Sequence, residues 1–379
     1  MKQLKLRSLA FHLHRYIGLV VGLLLVFVGL TGSLLVFEDE IDHFLLNHQM
    51  GYVIPQGQQI SFPQVLDTVK AAYSNYSELK VDFIRKLPKP DVPYQVILSF
   101  PEGESTEVIV NPYTGAIMGS RIHDNTLTSL ALKLHYQLLA GKTGQQILGV
   151  VGLLLFFLSI TGIILWPGWL RLIAGFKMKF TAHPKRVNFD IHKVIGIIAA
   201  AFLAITGFTG FCFNYYEFSQ PIIYALTFTP NLPNPVSKPI AGKAPLSLSQ
   251  LLQKADMALP NAVTTYVLPP KKPEDAFGTI KKLPQESWKY GLSQVYLDQY
   301  TGEVVRLKNA LEAPLGEKIL DSFIPLHFGT FGGLPSRVLY VFIGFTPWIL
   351  FLSGIVMYRY RYWKKLSSPN RVTELSKRL

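Results

Sequence analysis

Four apolar runs, near residues 15–37, 145–166, 193–215 and 337–358, constrain this chain more than any other feature. Each has about the 20 residues that an α-helix needs to cross a bilayer. In lipid the backbone must satisfy its own hydrogen bonds, so the runs are expected to be helices packed as a bundle. Composition agrees: 49% of the 379 residues are hydrophobic and only 16% are charged, too apolar for an ordinary soluble domain. The first run ends in Glu-Asp-Glu-Ile-Asp rather than a small-x-small cleavage site, and three more spans follow. It reads as an uncleaved anchor.

The net charge of +13 is unevenly placed. Residues 1–15, 167–193 and 359–379 carry seventeen of the 37 Lys and Arg but only two acids, Asp190 and Glu374. By the positive-inside rule these segments are expected in the cytoplasm. The expected order is a cytoplasmic N-terminus and first span (1–37), an outer domain (38–144), a second span (145–166) and a cytoplasmic loop (167–192). A third span (193–215), a second outer domain (216–336), a fourth span (337–358) and a cytoplasmic tail (359–379) follow. Because the positive charge hugs the span ends, its partner is the lipid bilayer rather than nucleic acid.

The chain also matches itself. "HRYIGLVVGLLLVFVGLTG" (14–32) and "HKVIGIIAAAFLAITGFTG" (192–210) share a histidine, a basic residue, Ile-Gly and Gly-x-Thr-Gly in one register. The other two spans are each preceded by a histidine, His135 and His327, followed by a glycine-rich break. Thr161-Gly162 and Ser353-Gly354 then fall 26 and 27 positions on. Each outer segment reads as α+β, with a helix start at Ser61 or Ser247 and alternating strands after it. Each also carries an Asx-x-x-Thr-Gly turn, Asn111–Gly115 and Asp298–Gly302. The fold expected is therefore an α-helical four-span membrane bundle built from two tandem repeats, with two α+β extracytoplasmic domains.

Cys212 is the only cysteine. That excludes a disulfide, a Cys-x-x-Cys-His haem attachment site and an iron–sulfur or zinc thiolate set. The four repeat-matched histidines are the candidate ligands. His14 and His192 head outward-going helices at the inner face, and His135 and His327 precede inward-going helices at the outer face. Pseudo-twofold packing would pair the inner two and the outer two, each pair holding one haem iron by both axial positions. At about 100° per residue, Gly18, Gly22, Gly29 and Gly32 lie on or near the His14 face. Gly196, Ala200, Gly207 and Gly210 occupy the same offsets from His192. Gly18 and Gly196, one turn from the inner ligands, would admit a flat macrocycle, although small residues also serve helix packing in lipid. Arg15 and Lys193 are candidate partners for inner propionates, and Lys142 and Arg337 for outer ones; lipid phosphate is the competing partner. His123 is a fallback outer ligand.

"LHRYIGLVVGLLLVFVGLTGSLLVFEDEID", "LHYQLLAG", "IHKVIG" and "LHFGTFGG" together resemble the PepSY-associated transmembrane family, and the two Asx-x-x-Thr-Gly hairpins look like the strand signature of PepSY domains. The resemblance covers nearly the whole chain. It implies an iron-regulated bacterial inner-membrane protein with periplasmic PepSY-like domains. It also implies two haem b groups, on His14, His192, His135 and His327, and reduction of a ferric siderophore of the ferrioxamine type. No Gly-x-Gly-x-x-Gly or Walker segment is present, so the electron donor, a cytoplasmic reductase or quinol, is expected to be external. Two other readings stand beside the reductase. One is a non-redox iron-chelate permease or PepSY-domain binding scaffold. The other is a haem subunit serving a separate dehydrogenase or quinone pool.

Overall fold

A computed structural model describes residues 2–76, 79–101 and 105–366; the expected cytoplasmic tail from 367 on lies outside them. The chain forms two compact units, one of residues 1–37, 131–219 and 326–379, the other of residues 38–130 and 220–325.

The first unit is helical and contains four helices long and apolar enough to span a membrane. These are α1 (Lys2–Leu35), α5 (Gly141–Leu165), α7 (Pro184–Asn214) and α11 (Gly333–Leu366). Both α1 and α7 pack on α5 and α11, so α1 and α7 face each other across the bundle. Small residues set two of these contacts, as expected where lipid gives helices no hydrophobic drive to associate. A methyl group on Gly29 would lie 2.3 Å from the Gly344 carbonyl oxygen, and one on Gly207 would lie 2.7 Å from that of Gly152. Ser33 Oγ adds a hydrogen bond from α1 to the Val341 carbonyl of α11, at 2.9 Å.

Two shorter helices, α4 (Leu127–Gln137) and α10 (Leu315–Phe328), lead into α5 and α11. The sequence reading assigns 131–144 and 326–336 to the outer domains, but these segments join the helical unit. The reason is that α4 and α10 end by placing His135 and His327 against α1 and α7. Between α4 and α5 the chain reverses through Leu138 (φ 52°), Leu139 (φ 56°) and Gly141 (φ 56°). Two leucines in the left-handed region are costly there and persist only where the surroundings fix them.

The second unit corrects the expectation of two separate α+β domains. Its strands are β1 (Lys80–Arg85), β2 (Tyr94–Ser99), β3 (Ser105–Val110), β4 (Ile117–Ile122), β5 (Val263–Leu268), β6 (Phe277–Lys282), β7 (Ser293–Leu297) and β8 (Val304–Lys308). They form one antiparallel sheet in the order β4-β3-β2-β1-β5-β6-β7-β8. Pairing of Ile84 with Val267 and Arg85 with Tyr266 joins the halves, which removes an exposed edge from each. Both halves share one core under α3 (Phe62–Ala72) and α9 (Leu248–Ala258), built on Val65, Val69, Ile84, Leu98, Leu251, Val267, Phe277 and Leu297.

The two expected turns form alike. Asn111 Oδ1 accepts from the Tyr113 and Thr114 amides at 2.9 and 3.2 Å. Asp298 Oδ1 accepts from the Tyr300 and Thr301 amides at 2.8 and 2.9 Å. Gly115 (φ 72°) and Gly302 (φ 69°) close them in the left-handed region, which is open to glycine without steric cost. The helices α2 (Glu38–Met50), α6 (Leu172–Phe176) and α8 (Tyr216–Leu226) complete the described chain.

Candidate functional site

Each of the four long helices carries a hydroxyl residue followed by glycine, and each pair receives one imidazole from another helix. His14 of α1 donates Nδ1–H to the Leu158 carbonyl (3.1 Å) and Thr161 Oγ1 (3.0 Å) of α5. His135, at the end of α4, donates to the Val28 carbonyl (2.9 Å) and Thr31 Oγ1 (3.2 Å) of α1. His192 of α7 donates to Ser353 Oγ of α11 at 2.8 Å, and His327 of α10 to Thr209 Oγ1 of α7 at 2.8 Å.

These hydroxyls fix the tautomer. Thr31, Thr161, Thr209 and Ser353 each spend their own proton on the carbonyl four residues back, at 2.8, 2.8, 2.7 and 2.6 Å. Their oxygens can then only accept, so each Nδ1 must carry the hydrogen. In the neutral ring Nε2 then keeps its lone pair. Metal-binding histidines are oriented in this way, with the far ring nitrogen bonded to a backbone or side-chain oxygen. The glycine after three of these hydroxyls makes room for the ring, and Gly354 lies at ordinary contact distance. A methyl group at Gly162, Gly32, Gly210 or Gly354 would lie 3.3, 2.9, 3.2 or 3.8 Å from Cε1 of His14, His135, His327 or His192 respectively.

The four rings meet in two pairs. His14 and His192 have ring centroids 6.2 Å apart with planes at 84°. His135 and His327 have centroids 6.1 Å apart with planes at 76°. An imidazole nitrogen lies about 2 Å from a bound metal ion, so rings on opposite sides of one ion have centroids roughly 6 Å apart. Both pairs therefore have the separation of two axial ligands. Phe213 lies 5.3 Å from His327, ring to ring.

A cavity of about 1530 Å³ opens beside the first pair, lined by His14, His192, Gly18, Gly196, Arg15 and Phe351 among others. The cleft is half open to the surroundings. Gly18 and Gly196 line the cavity, and a methyl group on either would make only an ordinary contact, with the Leu158 or Leu350 side chain at 3.6 Å. A methyl group on Gly22 would strike the Phe351 ring, so Gly22 packs, as do Gly29 and Gly207.

The predicted cations behave differently from one another. Arg15 lines the cavity, with its guanidinium 4.5 Å from the Tyr16 ring and 5.5 Å from Phe11. Its Nε is buried and finds no partner among the described residues. Lys193 also touches the cavity, but its ammonium is already bonded to Asp190 Oδ1 (2.8 Å) and the Lys177 and Ala174 carbonyls (3.0 and 3.3 Å). The Lys193 ammonium is thus already engaged in a buried clamp, and a buried ammonium paired to a buried carboxylate is costly to redirect. Arg337 hydrogen-bonds the Val36 carbonyl at 2.7 Å and stacks on Phe37 at 4.4 Å, so it caps the end of α1. Lys142 is exposed. His123 belongs to the other unit, where its Nδ1 lies 3.6 Å from Glu107.

Sequence reasoning noted Thr161-Gly162, Ser353-Gly354 and the Gly-x-Thr-Gly steps that hold Thr31 and Thr209, but gave none of these hydroxyls a role. The signal available was the recurrence of hydroxyl-Gly once per span.

Comparison with known proteins places the chain in a family. The family profile described as the PepSY-associated TM region matches residues 11–361. No curated protein sequence matches the chain.

Proposed function

The chain belongs to the PepSY-associated transmembrane family, and from that premise we propose that it is a di-haem b electron-transfer protein of the bacterial inner membrane. In this reading it takes electrons from a cytoplasmic reductase or quinol and reduces a ferric siderophore on the periplasmic side, releasing ferrous iron. The observation that carries the reading is the pairing of four imidazoles, each with Nδ1–H tied to a hydroxyl oxygen and Nε2 left as a lone pair.

Three features of the chain fit haem. The donors are imidazoles in pairs whose spacing would let each pair hold one iron. Gly18 and Gly196 leave open space beside the inner pair. The buried, unpartnered Arg15 Nε offers a propionate a charged donor. Haem supplies the one-electron iron couple, tuned by its axial ligands and their hydrogen bonds. The chain's own part is to hold the imidazoles in one tautomer and to orient and bury them. We also read the matched halves, from the paired turns to the paired hydroxyl-Gly steps, as a tandem duplication with PepSY-like domains. The basic span ends support cytoplasmic termini.

Reduction of the substrate explains release without a hydrolytic site. Siderophore oxygens are hard ligands that hold Fe³⁺ tightly and Fe²⁺ less so. One electron delivered to the chelate loosens the metal while the chelator stays intact.

The direct test uses purified, chemically reduced protein mixed with ferrioxamine and a ferrous-iron indicator. Oxidation of the protein spectrum in step with indicator colour is the expected result; a spectrum unmoved by the chelate would remove the substrate assignment.

The hydroxyls give a second test. Thr161→Val keeps the shape but removes the acceptor, and His14 retains only the Leu158 carbonyl. Loss of such a partner costs roughly 10–100-fold in metal affinity. The inner haem is expected to weaken toward the lower end of that range, with Thr161→Ser restoring it and the outer haem unmoved. Equal haem retention in Thr161→Val and wild type would show the hydroxyl to be dispensable.

A further inference from the structure

The segment that joins α5 to α7 presents apolar side chains outward to a degree that a water-exposed loop does not sustain. Leu170 is 90% exposed, Ile173 86%, Phe180 69%, Leu172 64% and Trp169 63%. A contiguous exposed apolar patch marks an interaction surface.

The backbone beneath these side chains is held in place. Trp166, 5% exposed, packs edge-on against Trp169 and Phe176 at 5.4 and 5.1 Å. Gly168 and Gly175 close the hairpin so tightly that a methyl group on Gly175 would lie 2.5 Å from the Gly168 Cα. Lys193 Nζ bonds the Ala174 and Lys177 carbonyls, and the Lys179 amide donates to Asp190 at 3.3 Å. Trp169 Nε1 donates to the Ile163 carbonyl at 2.7 Å. The apolar side chains thus stand out from a preformed support, and docking them requires little ordering.

Charge and continuity identify what covers them. Arg171, Lys177 and Lys179 are exposed among the apolar side chains, and residues 166–189 contain no Asp or Glu. The segment runs directly from one membrane-length helix into the next. Apolar side chains interleaved with cations, with tryptophan at the boundary, match a lipid leaflet with phosphate above and acyl chains below. We propose that this hairpin is an interfacial anchor, with Leu170, Leu172, Ile173 and Phe180 inserted among the acyl chains. Arg171, Lys177 and Lys179 lie at the headgroups and favour anionic phospholipid. The surface is distinct from the imidazole pairs, and its occupant follows from lipid chemistry alone.

Full-length protein carrying Ile173→Cys or, separately, Leu170→Cys tests this against Gln285→Cys, an exposed position in the other unit. The native Cys212 is 2% exposed and adds no competing thiol. Each variant is placed in lipid nanodiscs and treated with a membrane-impermeant maleimide. Labelling at 173 and 170 is expected to be at least about tenfold slower than at 285. Replacing about a third of a phosphatidylcholine disc with phosphatidylglycerol is expected to slow it roughly threefold more, an effect lost in Arg171→Gln/Lys177→Gln/Lys179→Gln. Labelling as fast as at 285 in both discs would overturn the anchor and leave the face to a protein partner. Protection that ignores lipid charge would overturn the headgroup assignment.

Discussion

Protein carrying His327→Ala is expected to purify with one haem per chain in place of two and to lose ferric-chelate reduction. His135 and His327 face each other with centroids 6.1 Å apart, and each is held by a hydroxyl of a different helix. Removing one imidazole takes away half of the outer pair that would hold the haem and leaves the Thr209 oxygen without its donor. His14 and His192 are oriented by α5 and α11 through Thr161 and Ser353, and neither contact involves His327. The inner haem is therefore expected to persist with an unchanged spectrum, which also reports that the bundle is intact. Retention of two haems with unchanged bands would refute the outer pair as ligands.

The glycines give the second large effect, because they separate cavity from packing. A phenyl group introduced by Gly18→Phe projects toward the cavity, where the first neighbour of a Cβ is the Leu158 side chain at 3.6 Å. It occupies the space beside His14, and inner haem affinity is expected to fall at least about a hundredfold while the outer haem stays. Gly29→Ala should behave in the opposite way. Its methyl group would lie 2.3 Å from the Gly344 carbonyl, a backbone atom that cannot swing aside. Overpacking of this kind costs about 1–3 kcal/mol. A lower thermal midpoint with haem content retained is the expected outcome. The two variants are compared by haem spectra and by thermal unfolding in the same detergent; exchange of the two phenotypes would reverse the assignment of cavity and contact.

These two glycines also show what a sequence can and cannot carry. Gly18 and Gly29 both fall near the His14 face, and offset alone assigns them one role. Which neighbour stands opposite is decided by long-range packing: Leu158 of α5 lies nearest Gly18, and Gly344 of α11 lies nearest Gly29. The four spans were legible because bilayer thickness imposes a length and an apolar composition. The turns at Asn111 and Asp298 were legible because an Asx side chain and a left-handed glycine are a local requirement. The meeting of His14 with His192 and of His135 with His327 follows the offsets that the sequence sets between them.

The single sheet was not legible. Two outer segments, each with four strands and a helix, read as two domains. Only the pairing of β1 with β5 makes them one, and no local pattern records a pairing across nearly two hundred residues. The partners of Lys193 were hidden for a related reason. Its sequence neighbour His192 suggests a place at the cofactor, whereas its bonds are to Asp190, one helical turn before it, and to carbonyls of the preceding loop. The hydroxyls that orient the imidazoles stayed hidden because Thr161 serves His14, 147 positions away, and each such partnership crosses between helices.

Pyridine-haemochrome quantitation of wild-type protein purified from haem-replete cells tests the central claim most directly. The account expects about two non-covalent b-type haems per chain, one for each imidazole pair. Colourless protein with no Soret band, obtained under the same haem supply, would contradict it.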